Sequence, residues 1–134
     1  MKAILFLSLL GLASCGTRPA PAPKGFGSVI GLRAEKIEEY KRLHAAVWPE
    51  VARAVRDANI HNYSIYLHKL SDGNYYLFSY LEYTGSDYPG DMAKLARNPK
   101  VKEWWTLTDP CQQPLPDRPQ GQWWSPMDEV FHQR

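Results

Sequence analysis

The sequence predicts an α+β domain with the ferredoxin-like element order β-α-β-β-α-β. Three observations carry that prediction. Apolar and aromatic residues, with one histidine among them, recur at helical spacing through Ile37, Tyr40, His44, Val47, Val51 and Val55. Two runs with strand composition, His61–Leu67 and Tyr75–Tyr83, flank the turn-forming stretch Ser71-Asp-Gly-Asn74 and predict an antiparallel hairpin. Beyond them, Asn98 followed by Pro99 carries the composition of a helix start, and this second helix is predicted to run to about Thr108.

The elements follow in order along 134 residues, enough for one domain and a modest core. Lys2 precedes an apolar run, Ala3 to Leu12, that is too short to span a bilayer but suits a secretory leader. The run ends in Leu12-Ala-Ser-Cys15, which resembles a bacterial lipoprotein signal and predicts cleavage after residue 14 with a lipid on Cys15. Such a chain is expected to be membrane-anchored in the cell envelope, on the extracytoplasmic side. Loss of Lys2 takes the formal charge from +2 to +2 − 1 = +1. Residues 15–27, with Pro19, Pro21 and Pro23 alternating with Ala, read as an extended tether. The domain proper is placed at 28–134.

Within that domain, Ser28–Leu32 is predicted as the first strand and the Ile37–Val55 stripe as the first helical region. Pro49 disfavours helical geometry at Trp48 and removes a backbone donor, so the helix is expected to kink or restart there. On the strand Tyr75–Tyr83, Tyr76, Phe78 and Tyr80 share one face, while Leu77 and Leu81 share the other. Both faces therefore need cover, one from helices and one from a second subunit. A loop over Gly85–Gly90, a short helix over Met92–Arg97, a proline-rich irregular segment over Pro110–Pro119 and a last strand over Met127–His132 complete the order.

Composition narrows the function. The small net charge and the absence of a Lys/Arg run exclude a nucleic-acid surface. The four histidines show neither HExxH nor paired-Cys spacing, so no metal is expected. With Cys15 lipidated, Cys111 has no disulfide partner and reads as a packed thiol. What remains is aromatic: five Trp and eight Tyr. Tyr40 and His44 share a helical face securely, and Trp48 less so because of Pro49. An imidazole titrates near neutrality, and aromatic rings pack against the C–H faces of sugars. Spacing alone leaves two readings of His44, a packed core imidazole and a proton-transfer group. The tandem Trp104-Trp105 points in directions about 100° apart on a helix, so one ring can anchor the core while the other lines a cavity. Trp123-Trp124 falls in a loop, where a wholly structural role is compatible with its position.

Five stretches together resemble the L-rhamnose mutarotase family: Glu39-Tyr-Lys-Arg-Leu-His44, Val47-Trp-Pro-Glu50, His61-Asn-Tyr-Ser-Ile-Tyr-Leu67, Trp104-Trp105 and Glu129-Val-Phe131. The resemblance implies a dimeric α/β barrel, with the sheets of two subunits packed together. It implies an isomerase that interconverts the α and β anomers of L-rhamnose or a related pyranose, by acid/base ring opening and reclosure. It also implies His44 as proton donor, Tyr40, Tyr63, Trp104 and Trp105 as sugar contacts, a monosaccharide as ligand, and no cofactor. The alternative is a membrane-anchored module that binds a sugar without turning it over.

Overall fold

The computed structural model describes residues 22–133. The leader over 1–14, Cys15 and most of the predicted tether lie outside them. Nine regular elements follow: β1 (Lys24–Leu32), α1 (Ile37–Ala45), α2 (Pro49–Asp57), β2 (Ile60–Lys69), β3 (Tyr75–Tyr83), α3 (Tyr88–Arg97), α4 (Pro99–Thr108), β4 (Gln112–Gln113) and β5 (Ser125–Met127). The strands form one antiparallel sheet in the order β2-β3-β1-β4, with β5 also pairing β1. That order, with helical segments in the two crossovers, is the expected α+β plan.

The central pairing of β1 with β3 runs from Lys24 opposite Tyr83 to Leu32 opposite Tyr75. Strand β1 thus begins four residues before Ser28, and Lys24–Gly27 belong to the sheet rather than to the tether. The nine-residue partner strand supplies the backbone groups for them, and the Phe26 ring stacks on Tyr88 at 4.2 Å. The β2–β3 hairpin turns as the Ser71–Asn74 composition predicts. Gly73 takes φ +83, its N–H donates to the Leu70 carbonyl, and Asp72 accepts from the Asn74 N–H at 2.9 Å.

Pro49 does what its chemistry requires. Helix α1 stops at Ala45, and α2 restarts with Pro49 in its first turn and Trp48 as the capping residue. Asn98 caps α4 as expected, its side chain accepting from the Lys100 and Val101 N–H groups. Helix α3 is longer than its Met92–Arg97 prediction, because Asp87 caps an extra turn by accepting from Gly90.

The core sits between the sheet and the helices. Ile30, Leu32, Leu77, Tyr40 and Cys111 form its centre, and burying each Ile or Leu contributes roughly 1.5–3 kcal/mol. Cys111 is fully buried, and burial pushes its thiol above the ordinary range. The opposite face of the sheet carries Tyr76, Phe78 and Tyr80 from β3 and Tyr66 from β2, and Tyr66 is 63% exposed.

One strand differs from its prediction. Strand β5 covers Ser125–Met127, pairing with Val29, Ser28 and Gly27, and Met127–His132 is not a strand. Beyond the Met127–Gly27 pair no further residue of the tail pairs with β1, although the Glu129 carboxylate lies beside Gly25. The chain leaves the ladder there, with Val130 and Phe131 strongly exposed.

Candidate active site

Helices α1, α2, α3 and α4 and the inner face of the sheet enclose a cleft of about 1110 Å³. It is lined by both tryptophan pairs and by Tyr40, His44 and Tyr63. All five residues expected to form the sugar site therefore meet in one cavity.

The break before Pro49 puts His44 in the last turn of α1, where its side chain turns back on the helix. Its Nδ1–H donates to the Tyr40 carbonyl at 3.0 Å. A carbonyl only accepts, so the neutral ring carries its proton on Nδ1 and its lone pair on Nε2. The imidazole stacks on the Tyr40 ring at 4.1 Å and meets the Trp104 ring near edge-on at 5.5 Å. Burial lowers its pKa below the ordinary 6.5, and the bond to the Tyr40 carbonyl opposes that shift. The ring is half-buried, so it is both packed and accessible from the cleft.

Tyr40 itself is buried at 5% exposure. Desolvation holds its hydroxyl well above the usual phenol range, so it stays a neutral hydrogen-bonding group. Trp48 caps α2 and packs edge-on against Trp104 at 5.4 Å without lining the cleft. It is the structural corner of the stripe. The 100° divergence of Trp104 and Trp105 is realised as expected: Trp104 is 5% exposed and joins the core, whereas Trp105 is 37% exposed and opens on the cavity.

Tyr63 shares the inner face of β2 with Ile65 and Leu67, as alternation predicts, but the strand is irregular just before it. The ladder runs His61 opposite Glu82 and then Ser64 opposite Tyr80, so Asn62 and Tyr63 together face the single Leu81. This is a β-bulge. Asn62 takes φ +44, a conformation that Asn tolerates better than most residues. The extra residue reverses parity along β2. Ile60, opposite Tyr83, is buried before the bulge, while His61 is exposed and pairs with Glu82. After the bulge Tyr63 joins Ile65 and Leu67 on the inner side, so His61 does not share their face. The Tyr63 side chain opens to the cavity, yet protein atoms crowd its hydroxyl. That crowding, with a smaller effect from Tyr88, pushes its pKa up to about 12.

The cleft also holds residues that sequence patterns did not single out. Gln112 is buried on β4 and hydrogen-bonds both Tyr40 and Trp123. Thr108 and Asp109 lie at the end of α4, where burial raises the Asp109 carboxyl. A Gln between prolines gives no periodic signal, and only its pairing opposite Leu32 brings it inside. Among the described residues, no three His, Cys, Asp or Glu side chains converge as metal ligands would.

Comparison with known proteins matches this geometry. The family model described as L-rhamnose mutarotase covers residues 26–133. An L-rhamnose mutarotase of Phocaeicola vulgatus is 35% identical over 95 residues, spanning 71% of this chain and 84% of its own length. That of Ligilactobacillus salivarius is 32% identical over 113 residues, spanning 79% and 94% respectively. The crystal structure of an L-rhamnose mutarotase from Formosa agariphila superposes with a TM-score of 0.62 at 26% identity. It covers 83% of this chain and 99% of that one.

Proposed function

This chain belongs to the L-rhamnose mutarotase family and is a sugar mutarotase, an isomerase of carbohydrate anomers; within that activity we propose that His44 transfers the proton while Tyr40, Tyr63, Trp104 and Trp105 hold the sugar. Mutarotation opens the pyranose by protonating the ring oxygen as the anomeric hydroxyl loses its proton. Rotation about the C1–C2 bond then presents the other carbonyl face, and reclosure reverses the two transfers. Nothing is consumed, so the protein needs only a group that both gives and takes a proton at working pH.

The observation that carries this assignment is the fixed tautomer of His44. With Nδ1–H held by the Tyr40 carbonyl, Nε2 is the titrating atom that exchanges a proton with the ligand. General acid–base groups of this kind contribute typically ~10²–10⁴-fold. The exposed Trp105 ring offers a face for the sugar's C–H surface and, in L-rhamnose, its 6-methyl group. Tyr40 and Tyr63, both kept neutral, offer hydroxyls to sugar oxygens without placing charge against a neutral ligand.

The chain is further read as a homodimer joined through the outer sheet face, where Tyr66, Phe78 and Met127 leave apolar surface uncovered. It is also read as anchored to a membrane of the cell envelope by a lipid on Cys15, on the strength of Leu12–Cys15 alone. Light scattering tests the first reading, and mass analysis of the processed N-terminus tests the second.

The decisive experiment is saturation-transfer NMR of anomer exchange across a panel of L-rhamnose, L-fucose and other aldoses. Accelerated exchange of L-rhamnose or a close relative is expected. Binding of a sugar with no acceleration would instead favour the non-catalytic module.

A further inference from the structure

The segment after α4 contributes a hydrogen-bond chain that the reaction as described does not use. Trp123 Nε1–H donates to Gln112 Oε1 at 2.7 Å, and Gln112 Nε2–H donates to the Tyr40 hydroxyl at 3.4 Å. Amide orientation is usually ambiguous, but here the indole resolves it. An indole N–H can only donate, so the Gln112 carbonyl oxygen must face Trp123 and its NH₂ must face Tyr40. Gln112 is 5% exposed, so reversal of the amide would set its NH₂ against the indole N–H, donor against donor, with little water to relieve it.

The polarity of this chain reaches the ligand. A phenol oxygen that accepts from Gln112 still has its own proton to give, and Tyr40 lines the cleft beside His44. From this we infer that Gln112 and Trp123 are positioning residues that set the Tyr40 hydroxyl as a hydrogen-bond donor to an oxygen of the bound sugar. The inference deepens the sugar site proposed above and rests on it. Trp123, at 44% exposure on the cleft lining, starts the chain from the loop, and Gln112 carries its direction to the cavity wall.

The test is a double-mutant comparison. Gln112→Glu keeps an oxygen for Trp123 and replaces the NH₂ by a second acceptor, which draws the Tyr40 proton away from the cleft. Its expected effect is a rise in KM for the sugar of about tenfold with a much smaller fall in kcat, the loss of one ligand hydrogen bond. Trp123→Phe keeps the ring and removes the donor. It frees Gln112 to flip, and the expected rise in KM is about two- to threefold. In a Tyr40→Phe background neither change should move KM further, because the hydroxyl they direct is gone. Equal losses in both backgrounds, or an unchanged KM in both variants, would overturn the inference. Trp123→Phe also serves if the buried Gln112→Glu does not fold. Sugar affinity from tryptophan fluorescence separates this inference from the catalytic reading. Wild-type protein that binds sugar without speeding exchange counts against His44, and the affinities of the same variants then decide the hydrogen-bond chain.

Discussion

Replacing His44 by Gln tests the catalytic assignment most directly. The glutamine side chain fills similar space and can place an amide near the Nε2 position, but it cannot carry a proton between two oxygens. Loss of a general acid–base group predicts a fall in exchange rate of ~10²–10⁴-fold, equivalent to about 2.7–5.4 kcal/mol of barrier. The cost to the fold is smaller. The variant gives up the stacked contact with Tyr40, worth ~0.5–1.5 kcal/mol, and the Nδ1–H bond to the Tyr40 carbonyl, worth a similar amount. Because the imidazole is only half-buried, the lower halves of those ranges apply. A total of about 1–2 kcal/mol leaves most of a typical ~5–15 kcal/mol stability in place. The assay is saturation transfer between the two anomeric protons, with circular dichroism and a thermal melt on the same sample. A folded His44→Gln protein that exchanges anomers within about threefold of wild type would refute the reasoning, since the predicted loss is at least ~10²-fold.

Three further outcomes follow from the same geometry. Trp105→Ala should raise KM for the sugar about tenfold with little loss of stability, because its ring opens on the cleft, whereas Trp104→Ala should cost about 3–5 kcal/mol in a denaturant melt. Asn62→Gly should be tolerated, but Asn62→Ile should cost about 1–2 kcal/mol and raise KM by turning Tyr63 out of the cleft, because φ +44 crowds a branched side chain. The pH dependence of stability has a definite sign at His44. Its folded pKa lies below the unfolded 6.5, so the unfolded chain binds more proton in the window between them. Stability is complete above pH 6.5 and declines as pH falls toward the folded value, and His44→Gln should lose this component in melts taken across the window.

Local chemistry made much of this molecule legible before any coordinates. The break at Pro49, the capped helix from Asn98 to Thr108 and the hairpin around Gly73 depend on interactions between near neighbours, and all three stand as expected. The candidate site residues are legible in the sequence too. His44, Tyr40 and the divergent Trp104-Trp105 follow from helical periodicity, while Tyr63 and the assignment of roles came through family resemblance. Alternation puts Tyr63 on the face of Ile65 and Leu67, as the structure has it, but fails at His61, because a bulge is decided by how β2 pairs with β3 rather than by the composition of β2. The last strand differs from its expected Met127–His132 span as well, since where it starts and stops is set by its pairing with β1 and not by its own composition.

What the sequence determined alone is therefore the set of elements and the residue types able to bind a sugar and move a proton. The choice between a core imidazole and a working one was closed to it. That choice depends on which carbonyl takes the Nδ1 proton and on whether the other nitrogen meets protein or an open cleft. Likewise, nothing around Gln112 or Trp123 in the chain announces a connection to Tyr40, 72 residues away from Gln112. Tertiary structure decided that His44 borders the cleft and that Gln112 reaches Tyr40, because packing and hydrogen bonds act over only a few ångströms and folding alone brings groups far apart in the chain within that range.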